Sequence, residues 1–316
     1  MTRLAVCLAA FGDGHLESAL VPVRRLGLSA VDLPLDTTLA LRPTPRRLGD
    51  RDIEQLAREV RDAGIEVLCV SNSRDCQLIL GPHGSQTDPV MRGTPAQKRR
   101  HGMTHAIEAI ETASALGCPF VRLFLGCPDF SHWLTWRGAT TGWGENVEAL
   151  AVVLEQISET ARAEGVQLCL EPHPKQAIFD RPSTDELLER VGGGVGICLD
   201  PANLLALGHD PVSFVEELGQ APVMVHAKDV ERAEKADPPG SGWVRYGPQP
   251  PVRFRSAGWG EVRWEALMTA LLERRFDGPV FIEHEDVVLE REDSIRVAVE
   301  IVSRLLASTS DGRRTW

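Results

Sequence analysis

Short apolar runs alternate with longer stretches of helical period along the whole chain, the pattern of repeated strand–helix units around a parallel sheet. The runs predict strands at Leu4–Leu8, Ala30–Leu33, Glu66–Ser71, Phe120–Leu125, Val166–Glu171, Val195–Asp200, Val223–Lys228 and Val280–Glu283. Between them the periodicity predicts helices near Asp50–Ala63, Pro95–Leu116, Asn146–Glu164, Ser183–Arg190, Pro211–Leu218, Trp264–Arg274 and Glu292–Leu306, with a weaker one near His15–Arg25. Ser183 followed by Glu186 predicts a capping box, and Asp210 before Pro211 an N-cap with proline in the first turn. Eight strands is the count of a (β/α)8 TIM barrel.

Three connections exceed what a turn needs, at 72–94, 126–145 and 230–261, and each follows a strand. In a parallel barrel such loops form the active-site face, so they are candidate pocket walls. The third is rich in Pro and Gly, yet strand and helix units resume after it, so it reads as an insertion within one domain spanning residues 1–316. Barrels of ~250 residues plus insertions are routinely single domains.

Composition narrows the partners. Hydrophobic residues at 43% and charged residues at 25% are an ordinary globular balance. A formal net charge of −11 argues against a phosphate-backbone partner and for a neutral or metal-chelated small molecule. The seven cysteines include no Cys-x-x-Cys pair and sit mostly in apolar runs (Cys7, Cys69, Cys169, Cys198), which predicts buried free thiols. The N-terminal apolar stretch is short for a signal peptide and no run reaches the ~18 residues of a membrane span, so a cytoplasmic location and no membrane partner are expected.

The chemistry lies at the ends of the last four predicted strands. LCLE closes on Glu171, GICLD on Asp200, VMVH on His226 and VFIE on Glu283. A lone acid at a strand end is ordinarily a helix cap or a solvated charge; four potential ligands on consecutive strand–helix units converge on one rim. Three carboxylates and an imidazole suit one divalent ion, with Mn favoured and Mg, Co or Zn compatible.

These segments, extended to LCLEPHPKQAIFD, GICLDPANLLALGHDP, VMVHAKDV, RSAGWGEVRWEAL and VFIEHEDV, resemble the xylose-isomerase-like sugar phosphate isomerase/epimerase superfamily of metal-dependent barrels. The likeness spans roughly Ala30 to Leu306 and is strongest in the second half. It is most similar to the branch with E-x-H-P after strand five and E-x-E-D after strand eight, which includes C-glycoside-cleaving enzymes. The resemblance implies Glu171, Asp200, His226 and Glu283 as metal ligands and His173 as a pocket residue. Asn203 departs from the His or Ser that relatives commonly carry after Asp-Pro, and bears on substrate orientation.

Such a site implies a carbon acid beside a chelated carbonyl, with Glu171 and Glu283 addressing two faces of a planar enediolate as acid and base. The expected function is isomerisation or epimerisation of a sugar or keto-sugar. The alternative, with His173 taking the proton, is a lyase: a keto-polyol dehydratase or a deglycosidase of a 3-keto-C-glycoside. An endonuclease of the same fold is disfavoured by charge and by a single ligand histidine. Further substrate-binding candidates are Lys228, Arg255 and Trp133, with Trp136 and Trp143 in the same segment; an ion pair, a loop arginine and ordinary packing are the respective plain readings. Asp229 either orients a ligand or forms an ion pair, Glu285 and Asp286 read as helix-start charges or supports of the site, and His83 as an isolated loop histidine. No nucleotide fingerprint or nucleophile elbow is present. The expected partner is a sugar or glycoside, with no nucleic acid; a homo-oligomer or a small partner subunit is compatible with the branch.

Overall fold

The computed structural model describes residues 2–44, 46–130, 142–232 and 252–310. Its strands are β1 (Leu4–Cys7), β2 (Ala30–Pro34), β3 (Glu66–Asn72), β4 (Phe120–Leu123), β5 (Gln167–Leu170), β6 (Val195–Leu199), β7 (Met224–Arg232), β8 (Val252–Ser256) and β9 (Val280–Ile282). The helices are α1 (Leu16–Arg25), α2 (Asp50–Asp62), α3 (Pro95–Leu116), α4 (Gly144–Ala163), α5 (Arg181–Val191), α6 (Pro201–Ala206), α7 (Pro211–Glu217), α8 (Trp264–Glu273) and α9 (Arg291–Ser310).

Strands β1 to β7 pair in parallel in chain order, and β9 closes the ring between β7 and β1. This is the predicted (β/α)8 barrel, and each of the eight predicted strands has its counterpart. Side-chain alternation builds two apolar compartments. On β1, Ala5 and Cys7 face an interior cluster with Ala30, Leu68, Cys69, Cys169, Cys198, Met224 and Phe281, while Val6 faces the larger core under the helices. All seven cysteines are buried and free of disulfides.

Three details depart from the sequence reading. The loop expected over 230–261 begins as a continuation of β7 and returns as β8, which pairs antiparallel with it from Lys228↔Ser256 to Arg232↔Val252. VRFRS alternates apolar and charged residues as an edge strand does, a signal overshadowed by the Pro and Gly on either side. The helix start expected at Ser183 lies at Asp180, whose Oδ1 accepts from Ser183 N at 2.9 Å, so Ser183 is the third helical residue and not the cap. The short α6, directly after β6, was not anticipated, because its apolar residues continue those of the strand.

Local chemistry sets the ends of other helices. Thr94 and Gln97 cap α3 reciprocally, Pro95 occupies its first turn, and Gly117 ends it with φ of 67°, a left-handed position that favours glycine. Asp210 caps α7 through Ser213 N. Among the described residues, no helix is long and apolar enough to cross a membrane.

Candidate metal centre

Because the barrel strands run in parallel, the residues that end them share one rim. Glu171 follows β5, Asp200 follows β6, His226 lies within β7 and Glu283 follows β9. His226 Nδ1 lies 3.1 Å from Glu283 Oε2, 3.7 Å from Glu171 Oε2 and 3.8 Å from Asp200 Oδ2. Donor atoms sharing one ion at about 2.1 Å stand about 3–4 Å apart, the distance of each carboxylate from His226 Nδ1. Asp200, His226 and Glu283 also lie within 4.8 Å of one another, and Glu171 joins this group through His226.

His226 Nδ1 is fully buried and meets no partner in hydrogen-bonding geometry, an orphaned polar atom facing three carboxylates. On the far edge of the ring, Nε2 lies 4.0 Å from the Cys7 thiol. A buried imidazole without a partner is costly, and a cation at the common focus would satisfy it together with the acids. The residues present therefore fit a divalent ion.

The second tier is built from residues that hold these acids. Asp200 caps α6, its Oδ1 accepting from Ala202 N at 2.9 Å and Asn203 N at 3.1 Å, while Oδ2 is the oxygen on the His226 side. Asn203 Nδ2 donates to Glu171 Oε1 at 2.8 Å and to Asp200 Oδ2 at 2.9 Å, so this expected substrate residue clamps two of the clustered carboxylates to each other. Lys228 Nζ lies 2.8 Å from Asp200 Oδ2 and 2.9 Å from both Glu283 Oε2 and Glu285 Oε2, over the Phe254 ring at 4.5 Å. Gln176 ties the segment after β5 to the end of β4, donating to Glu171 O and accepting from Leu125 N.

Sequence reading missed Arg122 and Asp32. Arg122, buried on β4, donates from Nη1 to Glu171 Oε2 at 2.9 Å and from Nη2 to Asp32 Oδ2 at 3.3 Å. Each is a charge inside an otherwise apolar strand run, FVRLFL and AVDLP, and that is the signal by which both were legible.

Acids outnumber permanent cations here, and the titration directions follow. Burial pushes the Glu171 carboxyl up to about 7, against His226 and Arg122. Burial also raises Glu283, but Lys228 and His226 outweigh it and hold this carboxyl well below the usual range; Asp200 is lowered in the same way, Lys228 again outweighing burial. Burial would lower His226, yet Cys198, Glu283, Cys7 and Glu171 carry it well above the usual histidine range.

His173 sits beside the centre with its ring 4.7 Å from that of Phe124. Burial first, then Lys228 and Lys175, lower it to about 3, so it is neutral. Its Nδ1 accepts from Lys175 N at 3.0 Å, which leaves the proton on Nε2 and makes that edge a donor.

The remaining candidates serve the scaffold in this structure. Arg255 pairs with Glu231 and, at 3.1 Å, with Asp286 Oδ2. Asp286 also accepts from Ser256, Val288 and Leu289 backbone N, and Glu285 reaches the site only through Lys228. Asp229 accepts from Val230 N, Gly258 N, Val262 N and Trp264 Nε1, knotting the segment after β8. A Cβ on Gly260 would stand 2.2 Å from Asp229 Oδ1, which explains one glycine of the GWG turn. Trp143 Nε1 donates to Ala177 O at 2.7 Å and its ring meets Phe179 edge-on. His83 bonds Leu78 O. Trp133 and Trp136 lie outside the described residues.

A closed parallel barrel with an acid–histidine cluster on one rim defines a class of protein. The chain belongs to the xylose isomerase-like TIM barrel family, whose model matches residues 21–305. It is similar to the uncharacterized protein YfiH of Bacillus subtilis (strain 168), at 26% identity over 93% of this chain and 96% of that protein. Among solved structures it is similar to the IolI protein with a bound zinc atom, at 18% identity, 97% and 99% coverage of the two chains and a TM-score of 0.67. It is similar also to 3-keto-D-glucoside 4-epimerase, YcjR, from E. coli in its apo form, at 12% identity, 96% and 100% coverage and a TM-score of 0.67. At these identities the structural likeness shows the fold.

Proposed function

We propose that this protein is a divalent-metal-dependent isomerase or epimerase of a sugar or keto-sugar. The observation that carries the reading is the unpartnered His226 Nδ1 facing three carboxylate oxygens within 3.8 Å. Glu171, Asp200, His226 and Glu283 would hold the ion, with Mn favoured by the oxygen-rich donor set and Mg, Co or Zn compatible. When bound, such an ion supplies Lewis-acid stabilisation of negative charge on a substrate oxygen.

The chain's own residues account for the proton transfers. Glu171 and Glu283 rise from β5 and β9, three strands apart around the ring, and reach the same focus from different sides. One removes the proton beside the substrate carbonyl and the other returns it on the opposite face, which inverts a stereocentre. A different cation faces each carboxylate, Arg122 Nη1 at 2.9 Å from Glu171 Oε2 and Lys228 Nζ at 2.9 Å from Glu283 Oε2. His173 presents its Nε2–H to a substrate hydroxyl or carbonyl. That tautomer supports the two-glutamate reading over the lyase alternative, in which His173 would accept the proton. The epimerase among the structural neighbours agrees with the proposed class of reaction.

The test combines metal content and exchange. Asp200→Asn should lose one equivalent of bound metal in elemental analysis relative to wild type. The metal-loaded wild type should exchange a carbon-bound proton for deuterium in at least one member of a panel of ketoses and 3-keto-glycosides. Unchanged metal content, or exchange with none of the panel, contradicts the reading. His173→Ala should keep its metal and lose about tenfold in turnover, as for one hydrogen bond. A loss of ~10²–10⁴-fold in both exchange and product formation would make His173 the base and favour the lyase.

A further inference from the structure

We propose that Asp75, His101 and His105 form a second divalent-metal site, suited to zinc or cobalt, that staples α3 to the segments following β2 and β3. One potential ligand atom from each of the three residues lies within 4.8 Å of the others. His101 and His105 stand one turn apart on α3, their ring centroids 4.3 Å from each other, and Asp75 approaches from the segment after β3.

The supports around the cluster are those of a ligand set. The His105 Nδ1 meets Glu108 Oε2 at 2.5 Å, and Glu108 is itself fixed by Arg42 Nη2 at 2.7 Å in a buried pair. With the Nδ1 proton given to that carboxylate, the Nε2 lone pair is free, the carboxylate–histidine arrangement that stands behind metal-ligating imidazoles. Asp75 is held just as firmly, by Thr37 N at 2.7 Å, Thr37 Oγ1 at 2.5 Å and Asn72 Nδ2 at 3.3 Å. A simple ion pair between His101 Nε2 and Asp75 Oδ1, at 2.7 Å, explains one of the two imidazoles. It does not explain why a second ring, oriented by its own buried carboxylate, is stacked edge-on against the first. Two imidazolium ions in contact would repel, whereas two neutral imidazoles and a carboxylate are a borderline donor set for zinc or cobalt.

Entry is open, since the His101 side chain is 20% exposed. Metal binding replaces the proton between His101 and Asp75 and parts these two groups by about half an ångström, with water completing the coordination. Ser73, two residues before Asp75, meets Arg122 Nη1 at 3.4 Å, so the staple would stiffen a segment that abuts the Arg122–Glu171 pair.

Chelator-stripped full-length protein, titrated with Co²⁺ and followed by visible absorption, with Zn²⁺ equilibrium dialysis in parallel, tests this. Wild type should take two equivalents. His101→Gln and Asp75→Asn should each lose one while keeping the equivalent that Asp200→Asn abolishes, and Asp200→Asn should keep the equivalent that they lose. A cooperative thermal unfolding transition of metal-free His101→Gln verifies that the variant is folded. A wild-type stoichiometry of one that survives His101→Gln, or two equivalents retained in both His101→Gln and Asp75→Asn, overturns the second site and leaves the first untouched. A single equivalent lost only in His101→Gln and Asp75→Asn would uphold the second site and remove the first.

Discussion

The guanidinium of Arg122 is the one charge that FVRLFL sends into the barrel, and two acids depend on it. Its side chain is 6% exposed and those of Asp32 and Glu171 are 2% exposed. Removing one partner of a buried pair strands the other charge away from water, at a cost of about 3–5 kcal/mol. Arg122→Leu is therefore expected to lower the urea-unfolding free energy by about that amount, with Glu171 titrating still higher. A loss below about 1 kcal/mol would show that solvent or protonation compensates the pair. That Glu171, Asp200, His226 and Glu283 meet on one rim was legible because each terminates an apolar run whose direction fixes its rim. Lys228 and Asn203 carried a signal of site membership but not of role. Only the side-chain geometry turns both from substrate contacts into supports of the acids.

At the scale of elements, caps and strand runs were readable because they are decided within a few residues. The β7–β8 hairpin was not, because β7 ends at Arg232 and its partner begins only at Val252, and the pairing depends on where the barrel leaves the β7 edge. Asp75 shows how an element tie becomes a pH dependence. Burial raises its carboxyl, but His101 and Thr37 outweigh it and bring it down from 3.8 to about 2. A lowered carboxyl stabilises the fold above its unfolded value, and that contribution is lost as pH falls through the folded value. Asp75→Asn should thus cost about 2 kcal/mol at neutral pH, and the gap to wild type should close as pH falls from about 4 to about 2. Denaturant unfolding of both proteins across this range measures it; a gap independent of pH would assign the effect to lost hydrogen bonds alone.

For the whole molecule, charge makes its own prediction. A net charge of −11 opposes the counterion release that drives binding to a phosphate backbone. The full chain is expected to show no salt-dependent, submicromolar complex with duplex DNA in fluorescence anisotropy. Such a complex would revive the endonuclease reading of the fold. The sequence by itself determined the strand count, the barrel and the strand-end residues that meet on its rim, because each follows from local periodicity and from the fixed direction of parallel strands. Only the tertiary structure decided that Arg122 and Lys228 neutralise that cluster, that His173 presents a donor edge, and that α3 brings two imidazoles to Asp75. Those outcomes depend on distances between segments far apart in the chain, and periodicity carries no record of them.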